Sequence, residues 1–191
     1  MVTYDSPEAD PRIPASAGAI VDLLNSRPHA TPTLPDSLDD PEQAAAILSR
    51  FAPAAQAAPT PDLLERVRAV RDDLMAVLAA GTPEHTAQAW TTLSERNADL
   101  TFRQTFSTDG RAHLRPATGD PVVAGILLLV AELTTANTWS RVRICGNELC
   151  SHVFYDTTRS RTQRWHSYEM CGNRTNVAAY RVRARERAQG S

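Results

Sequence analysis

The chain has 191 residues, 42% apolar and 22% charged, with a formal net charge of −2; this is room for one medium domain or two small ones around a real hydrophobic core. Its longest apolar run, Val122 to Val130 followed by Ala131, Glu132 and Leu133, is shorter than the ~20 residues of a bilayer span and contains a carboxylate, which excludes a membrane helix there. Residues 1–20 carry Asp5, Glu8 and Asp10 where an export signal needs basic residues and then an apolar stretch, so a cytoplasmic protein is expected.

All 20 basic residues are Arg, beside 29 Ala, a uniform usage that makes the position of an arginine more informative than its identity. Residues 1–138 hold 10 Arg against 18 Asp and Glu, net −8, and residues 139–191 hold 10 against 4, net +6. Two regions of opposite sign imply two tasks.

In chain order, residues 1–15 combine three prolines and four charges with few large apolar side chains, the makeup of a flexible arm. Ala17, Ile20, Val21 and Leu24 form the first helical stripe. Pro28 to Pro35 reads as an irregular, mobile connection. Four helix starts then use one device, a capping Asp or Thr followed by proline at the first helical position: Asp40-Pro41, Thr60-Pro61, Thr82-Pro83 and Asp120-Pro121. After Asp40 the apolar stripe is Ala44, Ile47, Leu48 and Phe51; after Thr60 it is Leu63, Val67, Val70, Leu74 and Val77, and Gly81 ends it. The helix after Asp120 is apolar on nearly every face and is expected at the centre of the core. Between the last two starts, Leu100 to Arg115 predicts a β-hairpin around Thr108-Asp109-Gly110. A three-residue loop with Gly110 left-handed pairs Phe106 with Ala112 and Gln104 with Leu114, and keeps Phe102, Phe106, Ala112 and Leu114 on one face.

The three cysteines all lie in the basic region, an odd number that argues against a disulfide framework. Cys145, Cys150, His166 and Cys171 follow the pattern C-x4-C-x15-H-x4-C, two close pairs joined by a spacer long enough to bring four donors to one tetrahedral ion. Three thiolates and an imidazole suit zinc. His152 is the rival fourth ligand, but it does not complete a second pair as His166 does. Val142 and Ile144, and Val153 and Tyr155, alternate as short strands flanking the first pair. Cys171 is expected to open a helix, whose N-terminal dipole favours a thiolate. His29, His85 and His113 stand isolated and are expected at the surface.

The stretch from Arg143 to Arg174 resembles the CGNR zinc finger, whose label is the tetrapeptide found here as Cys171-Gly172-Asn173-Arg174; Phe154-Tyr155-Asp156, Arg164-Trp165 and Met170 support the resemblance. The family usually has cysteine where this chain has His166, and histidine also ligates zinc. The resemblance implies that the finger follows an ABATE domain, an α/β region associated with binding a small ligand, and that the protein is a stress-induced transcriptional regulator. Residues 16–138 are similar in the segment Ile20-Val21-Asp22-Leu23-Leu24-Asn25-Ser26-Arg27, in their helices and in their hairpin.

Beyond Cys171, residues 174–187 lack Gly and Pro and fit a terminal helix on which Arg174, Arg181 and Arg185 fall within about 40° of one another. Arg159, Arg161 and Arg164 share the spacer between ligand pairs with hydroxyl groups suited to phosphate oxygens. DNA contacts are therefore assigned to Arg159, Arg161, Arg164, Arg181 and Arg185, while Arg174, one turn from the metal, and Trp165, beside a ligand, are assigned structural roles; Trp139 is placed as packing at the junction of the two regions. No phosphate loop, nucleophile–base pair or carboxylate pair is recognisable, so no enzyme is expected.

The expected fold is α+β: a flexible arm (1–15), a mostly helical domain with a β-hairpin that senses a ligand or dimerises (16–138), and a treble-clef-like zinc finger with a C-terminal helix (139–191). The expected function is zinc-dependent, DNA-binding transcriptional regulation, and the partners considered are DNA, a small-molecule ligand of the N-terminal domain and a second copy of the chain in a homodimer. The alternatives are a zinc-stabilised protein-interaction module and an RNA-binding protein.

Overall fold

The computed structural model describes residues 10–52 and 58–173. Most of the expected flexible arm, and the expected terminal helix with Arg174, Arg181 and Arg185, lie outside the described residues. The remainder is α+β, as expected. Helices α1 (Ala15–Asn25), α2 (Pro41–Leu48), α3 (Pro61–Ala79) and α4 (Pro83–Arg96) precede a hairpin of β1 (Phe102–Phe106) and β2 (Ala112–Pro116). Helix α5 (Pro121–Thr135) then leads through a short 3-10 turn into a second hairpin, β3 (Val142–Ile144) and β4 (Val153–Tyr155).

The four Asp/Thr-Pro signals all start helices. Asp40 accepts from the N–H groups of Glu42 and Gln43 at 2.9 and 3.0 Å, and Asp120 from Val122 and Val123 at 2.8 and 3.3 Å. Thr60 and Thr82 accept from Leu63 and His85, both at 3.2 Å. Each cap satisfies donors that the first helical turn leaves orphaned. Helix α5 buries Val122, Val123, Ala124, Ile126, Val130 and Leu133, while Ala131, Glu132, Thr134 and Thr135 near its end are exposed. Gly125 is the point of closest approach on α5: a Cβ there would lie 2.1 Å from the Phe51 carbonyl oxygen, so only glycine lets α2's C-terminal turn pack so close.

The first hairpin has the expected register, Gln104 opposite Leu114 and Phe106 opposite Ala112, with Gly110 at φ +80°. Its apolar face has no cover among the described residues: every residue of both strands is exposed, Phe106 at 72%. The amphipathic pattern specified a face but not what lies against it. The second hairpin pairs Val142 with Tyr155 and Ile144 with Val153, and its buried residues Val142, Val153 and Tyr155 join one apolar cluster with α1, α3 and α5. The core therefore continues from the helical body beneath the cysteine region.

The Pro28–Pro35 connection is irregular, as the prolines imply, but it is tethered to the cysteine region. Ala30 N–H donates to the Cys150 carbonyl at 3.0 Å and Thr31 Oγ1 to the Leu149 carbonyl at 3.1 Å, while the Arg27 guanidinium donates to the Ser151 carbonyl. Asn25, at the end of α1, seals the outer edge of β4: its amide donates to the Val153 carbonyl and its oxygen accepts from the Val153 N–H, both at 2.8 Å.

Candidate metal centre

Strand β3 ends one residue before Cys145, and a turn closed by Cys150 N–H to the Asn147 carbonyl at 2.8 Å brings Cys150 back beside it. Cys145 N–H also bonds the His152 carbonyl at 2.8 Å, which continues the β3–β4 ladder across the turn. Of the second pair, Cys171 rides on a short turn of wide helical geometry, Tyr168–Gly172, capped by Ser167, whose Oγ accepts from Met170 N–H at 3.2 Å, and His166 directly precedes that cap. Cys171 thus sits inside that turn and does not open it, a correction to the expected helix start. The turn begins at Tyr168 because the Ser167 cap fixes its entry.

The donor atoms of Cys145, Cys150, His166 and Cys171 all lie within 4.8 Å of one another. His166 Nδ1 is 3.5 Å from Cys150 Sγ and 3.7 Å from Cys171 Sγ. Tetrahedral zinc, with Zn–S of about 2.3 Å and Zn–N of about 2.0–2.1 Å, separates two sulfurs by about 3.8 Å and a sulfur from a nitrogen by about 3.6 Å. The donor set therefore fits a tetrahedral metal ion, with His166 facing it through Nδ1. Burial above all, with crowding by the sulfurs of Cys171 and Cys145, pushes the Cys150 thiol up to about 12. A cation among them reverses that cost by favouring the thiolates. Burial, reinforced by His29, holds His166 below its ordinary value, which keeps its imidazole neutral, as ligation requires.

His152 lies outside the cluster. Its ring lies tilted against His166 with centroids 4.5 Å apart, its Nδ1 faces His29 Nε2 at 3.3 Å, and its Nε2 faces the Asn25 amide at 3.2 Å. Burial first, then His166, His29 and Arg27, lowers its value to about 4. His29, expected as an isolated surface residue, is half-buried against His152 because the tethered connection carries it there. His85 and His113 are exposed, as expected. A cleft of about 530 Å³ opens between the connection and the Cys145–Cys150 turn, walled by Leu34, Leu149 and Met170 and floored by the metal-facing residues.

Trp165 lies in a narrow slot: a Cβ on Gly172 would meet its ring at 3.2 Å and the Tyr168 ring at 2.7 Å. The glycine of the Cys171-Gly172-Asn173-Arg174 tetrapeptide is where these two rings close on the backbone. Trp139 packs edge-on to Trp90 at 5.3 Å, joining α4 to the entrance of the second hairpin.

Of the five arginines assigned to DNA, Arg159, Arg161 and Arg164 are described, and all three are exposed. Their loop is organised by Asp156, a fully buried carboxylate that sequence reasoning did not single out for this role. Asp156 accepts from the N–H groups of Thr158 and Gln163 at 2.9 and 3.0 Å, from the Thr158 hydroxyl, and from Arg143 at 3.4 Å. Arg141 donates to the carbonyls of Asp156 and Thr158, and Arg143 to that of Arg161. Arg141 and Arg143 thus spend their donors inside the fold, while Arg164 stacks on Trp165 at 5.1 Å with its charge outward.

The CGNR zinc finger family model matches residues 141–184, and the ABATE model, described as "Putative stress-induced transcription regulator", matches residues 18–137. Comparison with curated proteins gives no match. The two matched segments follow the order that the resemblance implied, the second of them contains all four clustered donors, and the chain belongs to the ABATE family, with a CGNR zinc finger following its ABATE domain.

Proposed function

We propose that the protein is a zinc-dependent DNA-binding transcriptional regulator acting in the cytoplasm, with an N-terminal region that senses a ligand or dimerises; the link to stress comes from the family description. Zinc would be held by Cys145, Cys150, His166 and Cys171, and its contribution is to cross-link the Cys145–Cys150 turn to the Tyr168–Gly172 turn. Four protein donors leave no position for an activated water, so the centre is read as structural and the protein as non-catalytic.

The observation that carries the reading is the exposure of Arg159, Arg161 and Arg164 on one hydrogen-bonded loop. They project from a loop whose inner hydrogen bonds converge on the buried Asp156 carboxylate, beside the metal centre of a region with net charge +6. Exposed guanidinium groups on a loop held in this way suit phosphate oxygens, and the sequence adds Arg181 and Arg185 downstream. The test is duplex binding across a salt series by the zinc-loaded protein and two alanine variants, one at Arg159, Arg161 and Arg164 and one at Arg181 and Arg185. Each phosphate contact removed should reduce the salt slope by about 0.9. If both variants bind as tightly and with the same slope as the parent, the protein-interaction reading replaces this one; preference for single-stranded RNA would replace it with the RNA reading.

A further inference from the structure

We propose that Cys150 is a modification site: the cleft over the metal centre admits an uncharged organic hydroperoxide, which oxidises Cys150 and leaves it joined to Cys171 as a disulfide, an inference that rests on the metal site proposed above and gives one of its sulfurs a reactive role beyond ligation. The three thiols are not equally accessible. Cys145 and Cys171 are each 4% exposed, and Cys145 has no place in the cleft, whereas Cys150 is only half-buried and lies in the cleft lining.

The approach to that sulfur is apolar. Leu34, Leu149 and Met170, exposed at 49%, 70% and 51%, line the cleft. Away from the β1–β2 hairpin, Tyr168 is the only other large apolar side chain exposed among the described residues, and it belongs to the same turn as Met170. At about 530 Å³ the cleft has the size of a small-molecule site. Its lining includes the exposed Glu148 and no arginine, so an anion finds no charge partner there, and the molecule it suits is apolar and uncharged.

The neighbouring sulfur decides the chemistry. Cys171 also lines the cleft, and its sulfur lies within 4.8 Å of that of Cys150. A carbon electrophile would use one sulfur, whereas an oxidant uses the pair: an accessible thiolate beside a second one that can resolve it. Ligation keeps both sulfurs as thiolates, the form that attacks a peroxide. The Cys150 sulfur takes the outer oxygen of the hydroperoxide, the O–O bond breaks, and the departing alkoxide gains a proton to become the alcohol. Cys150, oxidised to the sulfenic acid, is then attacked by the Cys171 thiolate; the S–S bond forms and hydroxide leaves, to be protonated to water. Two of the four donors are consumed, and Cys145 and His166 alone do not retain the ion.

The experiment follows zinc release into a chromogenic chelator from the full-length, zinc-loaded chain, with cumene hydroperoxide and with hydrogen peroxide, each rate divided by that of the same peroxide with a free small thiol. The parent should prefer cumene hydroperoxide by about tenfold, a gain that burial of a small apolar area supplies. Mass mapping should find the disulfide between Cys150 and Cys171, and reduction followed by zinc should restore the loaded chain. The double variant Leu34→Glu with Leu149→Glu, at exposed positions that hold no metal, should still load with zinc and lose the preference. No preference in the parent, a preference that survives in the double variant, a disulfide that leaves out Cys150, or oxidation of Met170 with zinc retained each overturns the proposal while the metal site stands. A chain that takes up no zinc overturns both.

Discussion

The helical body and the cysteine region are held by different forces. Helices α1 to α5 bury Ile20, Leu23, Leu24, Leu74 and Ile126 almost completely, so their stability comes from apolar area removed from water. The segment from Cys145 to Asn173 buries few large apolar side chains; it relies on four convergent donors, a buried carboxylate and two aromatic rings closed on glycine. The first arrangement tolerates the loss of any one contact. The second concentrates its stability in a few groups.

Metal removal is the largest perturbation of that contrast. Structural zinc supplies on the order of 10–16 kcal/mol of apparent binding energy that is also folding energy. Chelation is expected to release residues 145–173 and the tethered Pro28–Pro35 connection, while α3, α4 and α5 keep their amide protection; hydrogen exchange before and after chelation reads both. Uniform loss of protection along the chain would show that the shared core beneath β3 and β4 couples the two regions fully.

Next in size is a cavity in the body. Leu74→Ala empties a fully buried site on α3 and should cost about 2–5 kcal/mol in denaturant unfolding, with zinc stoichiometry unchanged. Loss of metal from this variant would break the distinction between the two regions.

Asp156 offers a smaller perturbation within the cysteine region. Burial raises its carboxyl, but hydrogen bonds from Thr158 and Gln163 and the Arg143 charge more than offset this and hold it below the model-peptide value of 3.8. Because the folded value is the lower one, the stabilisation is present above pH 3.8 and is lost as pH falls through the folded value. Asp156→Asn should lower stability at neutral pH by about 1.5–3 kcal/mol and flatten that acid limb. The variant should also speed exchange of the Thr158 and Gln163 amides; unchanged exchange there would remove Asp156 as the organiser of the arginine loop.

The local features of this fold were legible because they are written in adjacent residues. A capping side chain and the proline after it fix a helix start within four positions, and the paired spacing of Cys145, Cys150, His166 and Cys171 carries the ligand geometry in itself. What escaped depends on residues distant in sequence. Arg71, buried on α3, binds Asp36 through two hydrogen bonds of 2.9 and 2.6 Å and the Ser26 hydroxyl at 2.8 Å, and no periodicity marks that pairing. His29 reads as an isolated surface histidine until the connection carrying it is tied to the Cys145–Cys150 turn. The hairpin register followed from its loop length, yet no local pattern could tell that its apolar face has no cover within the described residues.

The seam between the two regions supplies the finest test. Asn25 ends α1 in the helical body, and its side chain replaces a missing strand along β4, giving and accepting one hydrogen bond at Val153. Asn25→Ala leaves that N–H and carbonyl without their partners and removes a neighbour of His152, at an expected cost of about 1–2 kcal/mol. Because the lost bonds join the regions without belonging to either core, the effect should appear as faster exchange at Val153, with α3 to α5 unaffected. Asn25→Asp sharpens the point: a carboxylate can still accept from the Val153 N–H but has no donor for its carbonyl, so it should recover part of the protection and no more. Equal protection in Asn25→Ala and the parent would mean that β4 is held by β3 and the shared core alone, and that the Asn25 contact is incidental to the way the body supports the metal centre.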